Sequence, residues 1–599
     1  LFITNTGDQA IENWTLEFSA PYTISKFWNA DIAELSGNRY EAKAIASADW
    51  NRVISPGETI NFGFLGRSAE PIAPSEFSMM GDGLAVLESE PESIVDPIEP
   101  KPAPDPEPIT EPTRPISPDP EPIPAEDLSD ADLGAPMTGS FNYGEALQKS
   151  FLFYEAQRSG ALPDDNRIDW RGDSSLDDGS DVGVDLMGGY HDAGDHIKFS
   201  FPMAASMTVL SWGAIEYTDA YEQMGQLDEV LDAIKWGTDY LLKAHITEGG
   251  ETKAFWGQVG EGDLDHSYWG APEDMTMRRR AAAITPDKPG TELAAEAAAA
   301  LASASILFRE TDTAYADKLL TNAEQLYTFA DTYRGEYSDS IPDSARFYNS
   351  WSGYQDELAW GAAWLHEAFQ AKGDNDSGYL AKAESEYRSI GPGWTLNWDN
   401  KSYGTAVMLA QETGDARYRN EAENWLDSWL PGGSTVKYTD GGMAWLHEWG
   451  SLRYSANTAF LAGIYGDTVN DAGGKYTSFA DRQINYILGD NPRNFSYMVG
   501  FGENYSLNPH HRAASGTTNI SDPADNDHIL YGALVGGPAS ANDFDYDDVR
   551  TDYVANEVAL DYNAAFTGAL ARMAGEFGGD PLSNAELDAL PGITVADVG

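Results

Sequence analysis

The 599-residue chain contains no cysteine. That absence excludes disulfides, thiolate zinc sites and cysteine nucleophiles, and leaves the redox compartment open. Basic residues are scarce: 37 Lys and Arg stand against 97 Asp and Glu, for a formal net charge of −60. Nucleic acid is a poor partner for such a chain, because phosphates need Lys and Arg to neutralise them, whereas an uncharged polymer meets no repulsion. The charge also repels itself at low ionic strength and is eased by screening, which suits a salt-adapted source. No apolar run approaches the roughly 18 residues of a membrane span, and no secretory signal is recognisable. Leu1-Phe2-Ile3-Thr4 reads like the middle of a strand, so upstream residues are expected to be missing. There is no G-x-S-x-G elbow and no G-x-x-x-x-G-K-[ST] loop, and Gly500-Phe501-Gly502 lacks the third glycine of a dinucleotide site.

What the chain does hold is apolar and aromatic mass, 42% and 12% of residues with 17 Trp, enough for a large core and some ligand-facing rings. Its length calls for more than one domain. Residues 1 to 87 alternate apolar and polar positions, as in Trp14-Thr15-Leu16-Glu17-Phe18, which indicates a small antiparallel β-sandwich. Residues 88 to 137 set prolines among Asp and Glu, a composition that favours polyproline II and a semi-rigid spacer. Residues 138 to 579 carry helical periodicity, with candidate helices at 201–221, 227–245, 292–309, 314–333, 355–371, 403–412, 442–465 and 556–576. The Ala-rich run from Glu292 to Leu307 suits a closely packed inner helix, and long Trp-, Tyr- and Gly-rich loops between helices suggest paired helices whose loops build one face. Residues 580 to 599 have weak pattern and read as a tail.

Asp192-Ala193-Gly194-Asp195 places two carboxylates three residues apart on a tight turn, where both could address one water. By itself the tetrapeptide is more often an Asp-rich turn or a helix cap. Two further stretches change its weight. One runs from Ser496, Val499, Gly500 and Gly502 into Pro509, His510 and Arg512; the other carries Tyr546, Asp548, Tyr553, Glu557, Ala559, Asn563 and Ala564. Together they match the DAGD loop, the P-H-x-R stretch and the Y-x-D-x(4)-Y-x(3)-E-x-A-x(3)-N-A pattern of glycoside hydrolase family 9, which the whole helical region resembles.

That resemblance implies an all-α (α/α)6 barrel and inverting hydrolysis of β-1,4-glucans. By matched position, Glu557 would be the general acid, Asp195 the general base that activates water, and Asp192 the group that holds that water. An inverting pair is expected roughly 6.5 to 9.5 Å apart. Glu557 should be kept protonated near neutrality by an apolar or acidic surrounding, with Asp548 supplying part of the negative field. His510 and Arg512 would act as donors around the cleavage site; the adjacent pair His510-His511 is a weak zinc candidate, because neighbours in sequence do not face one way. Sugar rings stack on aromatic planes, and His266, Trp269, Tyr348, Trp351, Trp394, Trp449, Arg453 and Tyr454 fit cleft positions of the family. Ser352, Gly353, Asp356, Glu357 and Asp399 match a family calcium site and offer the oxygen donors that calcium prefers. The Cys/His zinc site of some members has no cysteine here. No organic cofactor is expected.

The amino-terminal sandwich resembles a family 2 cellulose-binding module that has lost its first strand. Trp28 and Trp50 match exposed residues that lie on crystalline cellulose, and Trp14 matches a buried one. The combined expectation is a secreted, monomeric endo-1,4-β-glucanase tethered to cellulose, with no nucleic-acid or membrane partner. Two alternatives stand beside it: a non-catalytic glucan-binding protein, and the same chemistry on xyloglucan, mixed-linkage glucan or cello-oligosaccharides. A polysaccharide lyase on a similar helical scaffold would need basic residues to receive an acidic uronate, which this acidic chain lacks.

Overall fold

The computed structural model describes residues 141–374 and 377–595, together with strand segments between Phe2 and Asp82. Two compact units result, divided at Pro120 and Glu121.

In the first unit the strands are β1 (Phe2–Thr4), β2 (Ile11–Ser19), β3 (Ile24–Trp28), β4 (Asp31–Ser36), β5 (Arg39–Lys43), β6 (Val53–Ile54), β7 (Thr59–Asn61), β8 (Gly63–Gly66) and β9 (Ser75–Asp82). All their pairings are antiparallel, and β2 is central, pairing β5, β6 and β9. Trp14, Leu16, Phe18 and Ala20 point to one side at period two and are buried with Ile11, Tyr40 and Ala42. Phe18 and its cross-strand partner Tyr40 stack at 5.8 Å, the pair contact that fixes this register. Trp28 closes β3, but its side chain lies outside the described residues, as do Trp50 and the whole spacer 88–137.

In the second unit, among the described residues, twelve longer helices fall into two alternating sets. One set is α2 (Ser200–Glu216), α6 (Thr291–Leu307), α9 (Gln355–Lys372), α11 (Ser402–Thr413), α13 (Ser451–Thr468) and α15 (Leu560–Phe577). The other is α1 (Tyr143–Gln157), α4 (Leu227–Ala244), α7 (Thr313–Thr332), α10 (Tyr379–Glu386), α12 (Ala416–Trp429) and α14 (Lys475–Leu488). Short helices α3 (Thr218–Gln223), α5 (Gly262–His266), α8 (Tyr337–Ser340) and α16 (Asn584–Leu587) complete the count. Helices of the first set are buried on nearly every side, and each packs on the next: α2 on α6, α6 on α9, α9 on α11, α11 on α13, α13 on α15 and α15 on α2. The Ala-rich α6 shows the cause, since small side chains let α2, α7 and α9 approach it closely. In the second set, α4, α7 and α12 bury only one face, as expected of helices with a partner on one side.

Three features differ from the periodicity reading. Residues 442–450 are not helical: β14 (Lys437–Tyr438) and β15 (Ala444–Trp445) form a hairpin, and α13 starts at Ser451. Helix α15 starts at Leu560, not Asn556, so Glu557 stands in the extended approach to the helix. Strands β10 (Lys198–Phe199), β11 (His245–Glu248), β12 (Glu251–Val259) and β13 (Ala281–Ile284) form a small sheet within the helical region.

Residues 580–595 also depart from the expected tail. The Gln148 side chain bonds both backbone groups of Leu582, Asp169 N donates to Gly592 O at 3.0 Å, and Thr594 N donates to Arg167 O at 2.9 Å. Leu587 and Ile593 are buried. The segment docks through isolated anchors and side-chain amides, which leave no periodic trace in the sequence.

Candidate active site

Each helix of the buried set is preceded by a segment that feeds one cleft of about 1070 Å³. Asp192 and Asp195 precede α2, His266 and Trp269 precede α6, and Tyr348 and Trp351 precede α9. Trp394 and Asp399 precede α11, Trp449 precedes α13, and Glu557 precedes α15. The first turn of α13 adds Arg453 and Tyr454, and the run between α14 and α15 adds His510 and Arg512. Helix N-termini carry unpaired N–H groups and partial positive charge, which favours carboxylates where such an end borders the cleft, as those of α13 and α15 do through Tyr454 and Tyr562.

Backbone bonds join the three sequence motifs. Leu560 N donates to Asp192 O at 3.0 Å, Arg512 N to Gly194 O at 2.9 Å, and His510 N to Asn556 O at 2.7 Å. His510 and Glu557 pair in an isolated parallel β-bridge. The fit at Gly194 is tight: a Cβ there would meet His510 O at 1.8 Å. Glycine is therefore required for the Asp loop to close against the histidine segment.

Of the four carboxyls lining the cleft, those of Asp192, Asp195 and Glu557 are driven apart in acidity. Burial raises Asp192 well above the ordinary range, and the charge of Asp195 adds to it. Asp192 Oδ2 accepts from the Tyr348 hydroxyl. For Asp195 burial also acts upward, but the hydrogen bond from His266 Nε2 at 2.9 Å and the charges of His266 and Arg512 outweigh it and hold the carboxyl below its usual value. Oδ1 of each aspartate is buried without a protein partner, open to accept from or donate to a third group. Across the cleft, burial pushes Glu557 up to about 7, against the Trp449 and Tyr562 hydrogen bonds and the Arg453 charge.

Asp561 is the acidic neighbour that adds to this rise in Glu557. It sits in the first turn of α15 and bonds Arg453 Nη1 at 3.0 Å. The Arg453 guanidinium lies 4.5 Å from the Tyr454 ring and 4.7 Å from the Tyr562 ring, so it is packed against two aromatic side chains. This corrects the role given to Asp548, whose carboxylate accepts from Ser506 Oγ, Leu507 N and Asn508 N and stays off the cleft. A carboxylate this close in sequence to Glu557 has its oxygens taken up by a turn.

His510 is also reassigned, from donor to acceptor. Its Nδ1 lies 2.6 Å from Arg550 O, and a carbonyl can only accept, so Nδ1 carries the proton. Burial lowers the ring to about 4, which keeps it neutral and makes Nε2 an acceptor. His511 faces elsewhere: it is buried, with Nε2 donating to Gln157 Oε1 at 2.7 Å and Nδ1 accepting from Ala514 N, which removes it from zinc ligation.

Aromatic side chains line the cleft at different depths. Trp351 is 75% exposed and Trp449 41%, whereas Trp394 is half-buried and stacks at a tilt on Tyr454. Trp269 donates to Ser515 Oγ and carries Arg512 5.1 Å from its ring centre, so one face is already covered. Sequence reasoning passed over Trp398, His447, Tyr553, Tyr562 and Ile520, which line the same cleft. Tyr553 lay inside the late motif, and Tyr562 five residues beyond Glu557; neither position signals a cleft without the fold.

Among the described residues, one set of three carboxylate or imidazole groups brings its ligand atoms within 4.8 Å: Asp195, Asp265 and His266. Arg279 lies 3.6 Å from Asp265, and Arg512 adds further positive charge, which sets this group against a cation. The residues matched to calcium are arranged otherwise. Trp351 N donates to the Asp399 carboxylate at 2.8 Å, Ser352 Oγ donates to Asp399 O at 2.7 Å, and Lys401 N donates to Asp356 Oδ2 at 2.7 Å. Glu357 Oε2 is buried without a partner, and burial raises Asp356, Glu357 and Asp399, the last to about 6. Several buried carboxylates around the one amine of Lys401 form an oxygen-rich donor set that fits a hard divalent cation.

Residues 143–570 match the family model described as Glycosyl hydrolase family 9, and residues 1–83 match that described as a cellulose binding domain. Endoglucanase B of Cellulomonas fimi is 53% identical over 466 residues, 75% of this chain but 44% of that protein. Endoglucanase A of Bacillus pumilus is 53% identical over 453 residues, 73% of this chain and 67% of its own length. The chain thus spans under half of the first relative and about two thirds of the second. Among solved structures, an endoglucanase of the termite Nasutitermes takasagoensis is 45% identical, with a TM-score of 0.68 over 73% of this chain and 100% of that one. Endoglucanase CelQ of Clostridium thermocellum, complexed with cellotetraose, is 41% identical, with a TM-score of 0.68 over 74% and 72% of the two chains.

Proposed function

Because the chain belongs to glycosyl hydrolase family 9, we propose that it is an endo-1,4-β-glucanase that cleaves internal bonds of cellulose with inversion at the anomeric carbon. The observation that carries this reading is the divergence of three carboxyls in one aromatic cleft, with Asp195 held ionised, Asp192 raised and Glu557 at about 7. Endoglucanase relatives and a structural neighbour complexed with cellotetraose support the substrate class.

In this mechanism Glu557 gives its proton to the glycosidic oxygen as the bond to the anomeric carbon breaks. A water held between Asp195 Oδ1 and Asp192 Oδ1 attacks that carbon from the opposite face and passes its proton to Asp195. His266 keeps Asp195 ionised and oriented. His510 Nε2 accepts from a sugar hydroxyl, and the exposed faces of Trp351 and Trp449 serve as sugar platforms. Solvent returns Glu557 to the acid and Asp195 to the base after product leaves.

The cyclic packing of the six buried helices, with six others alternating between them in sequence, supports an (α/α)6 barrel. Ser352, Gly353, Asp356, Glu357 and Asp399 would hold calcium, whose charge would neutralise this acidic group and brace the loops before α9 and α11. The protein acts outside the cell as a monomer, held on cellulose by its amino-terminal module. Adsorption to crystalline cellulose should vanish in Trp28→Ala/Trp50→Ala while hydrolysis of soluble glucan continues.

The deciding test is reducing-end release from amorphous cellulose by the parent and by Glu557→Gln, with the anomer of the first product read by NMR. Parent activity giving the α-anomer and a loss of about a hundredfold or more in the variant are expected. A folded parent inactive on every β-glucan would leave a binding protein, and a β-anomer product would remove the inverting assignment.

A further inference from the structure

Arg550 is 1% exposed, yet none of its N–H groups meets a carboxylate. Its five donors all go to one loop. Nε donates to Ile520 O at 2.7 Å, Nη1 to Asp525 O at 3.1 Å and to Asn526 Oδ1 at 2.9 Å, and Nη2 to Asn519 O at 3.2 Å and to Pro523 O. A guanidinium has as many N–H groups as this loop offers acceptors around it, so the side chain fills the role that a bound cation plays in other carbonyl-lined loops.

Both ends of this arrangement reach the cleft. Ile520, whose carbonyl Arg550 holds, is part of the cleft wall. The carbonyl of Arg550 itself accepts from His510 Nδ1 at 2.6 Å and so fixes the tautomer and plane of that ring. Asn526 closes the circuit: its Oδ1 accepts from Arg550, and its Nδ2 donates to Pro509 O at 3.0 Å, one residue before His510. Shortly after Arg550, the chain reaches the extended segment that pairs Glu557 with His510.

We propose that Arg550 is a positioning residue for glucan binding: its side chain sets the 519–526 loop, whose Ile520 stands in the cleft wall, and, through Asn526 and Pro509, the segment that presents the His510 ring as a sugar-hydroxyl acceptor beside Glu557. It touches neither substrate nor reacting atoms, and acts through His510 and Ile520. The proposal rests on the glucanase reading. Its effect falls mainly on substrate binding, because Asp195 and Glu557 are held by His266, Trp449 and Tyr562, none of which Arg550 contacts.

The experiment measures kcat and KM of the full chain on a soluble cello-oligosaccharide for the parent, Arg550→Ala, Arg550→Lys and Asn526→Ala. Arg550→Ala should lose about 10- to 100-fold in kcat/KM, mostly through KM, because the groups it places meet the sugar and not the reacting atoms. Arg550→Lys should not recover it, since an ammonium has three donors where the loop needs five. Added guanidinium ion at on the order of 10 mM should restore at least part of the loss in Arg550→Ala and leave the parent unchanged; a merely stabilising side chain would not respond so. Asn526→Ala, which keeps Arg550, should raise KM in the same direction but less. Parent-like KM in both Arg550→Ala and Asn526→Ala overturns the proposal, as does a loss confined to kcat or untouched by guanidinium. If Arg550→Ala does not fold, an unchanged KM in Asn526→Ala overturns it alone. An inactive parent strikes the glucanase reading instead.

Discussion

Replacing Glu557 by Gln should cost activity and gain stability, and the gain should depend on pH. The folded protein raises this carboxyl from its ordinary value of 4.5 to about 7, chiefly because it is removed from water. A group whose folded pKa lies above its unfolded value stabilises fully below the unfolded value, and that contribution is lost as pH rises through the folded one. A tenfold difference in acidity between the folded and unfolded chain is worth about 1.4 kcal/mol, so between about pH 4.5 and about pH 7 the parent loses about 3 kcal/mol from this residue. Gln is the same size, keeps an oxygen for the Trp449 and Tyr562 donors, and has no charge to bury. The variant should therefore be favoured over the parent by about 3 kcal/mol more above pH 8 than at about pH 4.5, which for a domain of this size is about 3 °C in Tm. Thermal unfolding of both proteins across that pH range, followed on the catalytic domain's transition, measures it. The same residue should put the alkaline limb of the parent's kcat/KM profile near pH 7. A Tm gap that stays constant with pH would refute the reasoning, because Glu557 would then titrate as an ordinary carboxyl and could not remain an acid at neutral pH.

Asp561→Asn should move that alkaline limb to lower pH. The substitution removes a negative neighbour of Glu557 and frees the opposing charge of Arg453, and the same negative charge also raises Asp192, Tyr348 and Tyr562, which should relax with it; an unmoved alkaline limb would show that the Asp561–Arg453 pair does not tune the acid. Gly194→Ala should reduce kcat/KM by at least about a hundredfold, since its Cβ would sit 1.8 Å from His510 O and push the Asp loop away; a parent-like rate would show that the two segments can separate freely. Chelation should lower the Tm of the catalytic domain and added calcium restore it, with Asp399→Asn abolishing the difference; a Tm indifferent to chelator would mean that Lys401 alone neutralises that acidic group.

The chain's own order of residues determined a good deal. Composition excluded thiol chemistry and set the charge balance against a phosphate partner, and period-two and helical patterns separated a small strand unit from a large helical one because each element's hydrophobic face follows its own repeat. Asp192, Asp195 and Glu557 stood out through three ordered motifs that resemble those of glycoside hydrolase family 9, the Asp loop alone reading as an ordinary turn. Only the tertiary structure decided what surrounds them. Asp548 and Asp561 are both acidic neighbours of Glu557 in sequence, but folding places one in a turn and the other against Arg453, which lines the cleft. His510 and His511 are adjacent in the chain, but one ring lines the cleft and the other is buried against Gln157. Arg550 and the loop it holds form no recognisable motif, because all but one of its partners are backbone carbonyls, which every residue possesses. Electrostatic environment and hydrogen-bond direction depend on distances of a few ångströms between remote segments, and sequence spacing carries no record of them.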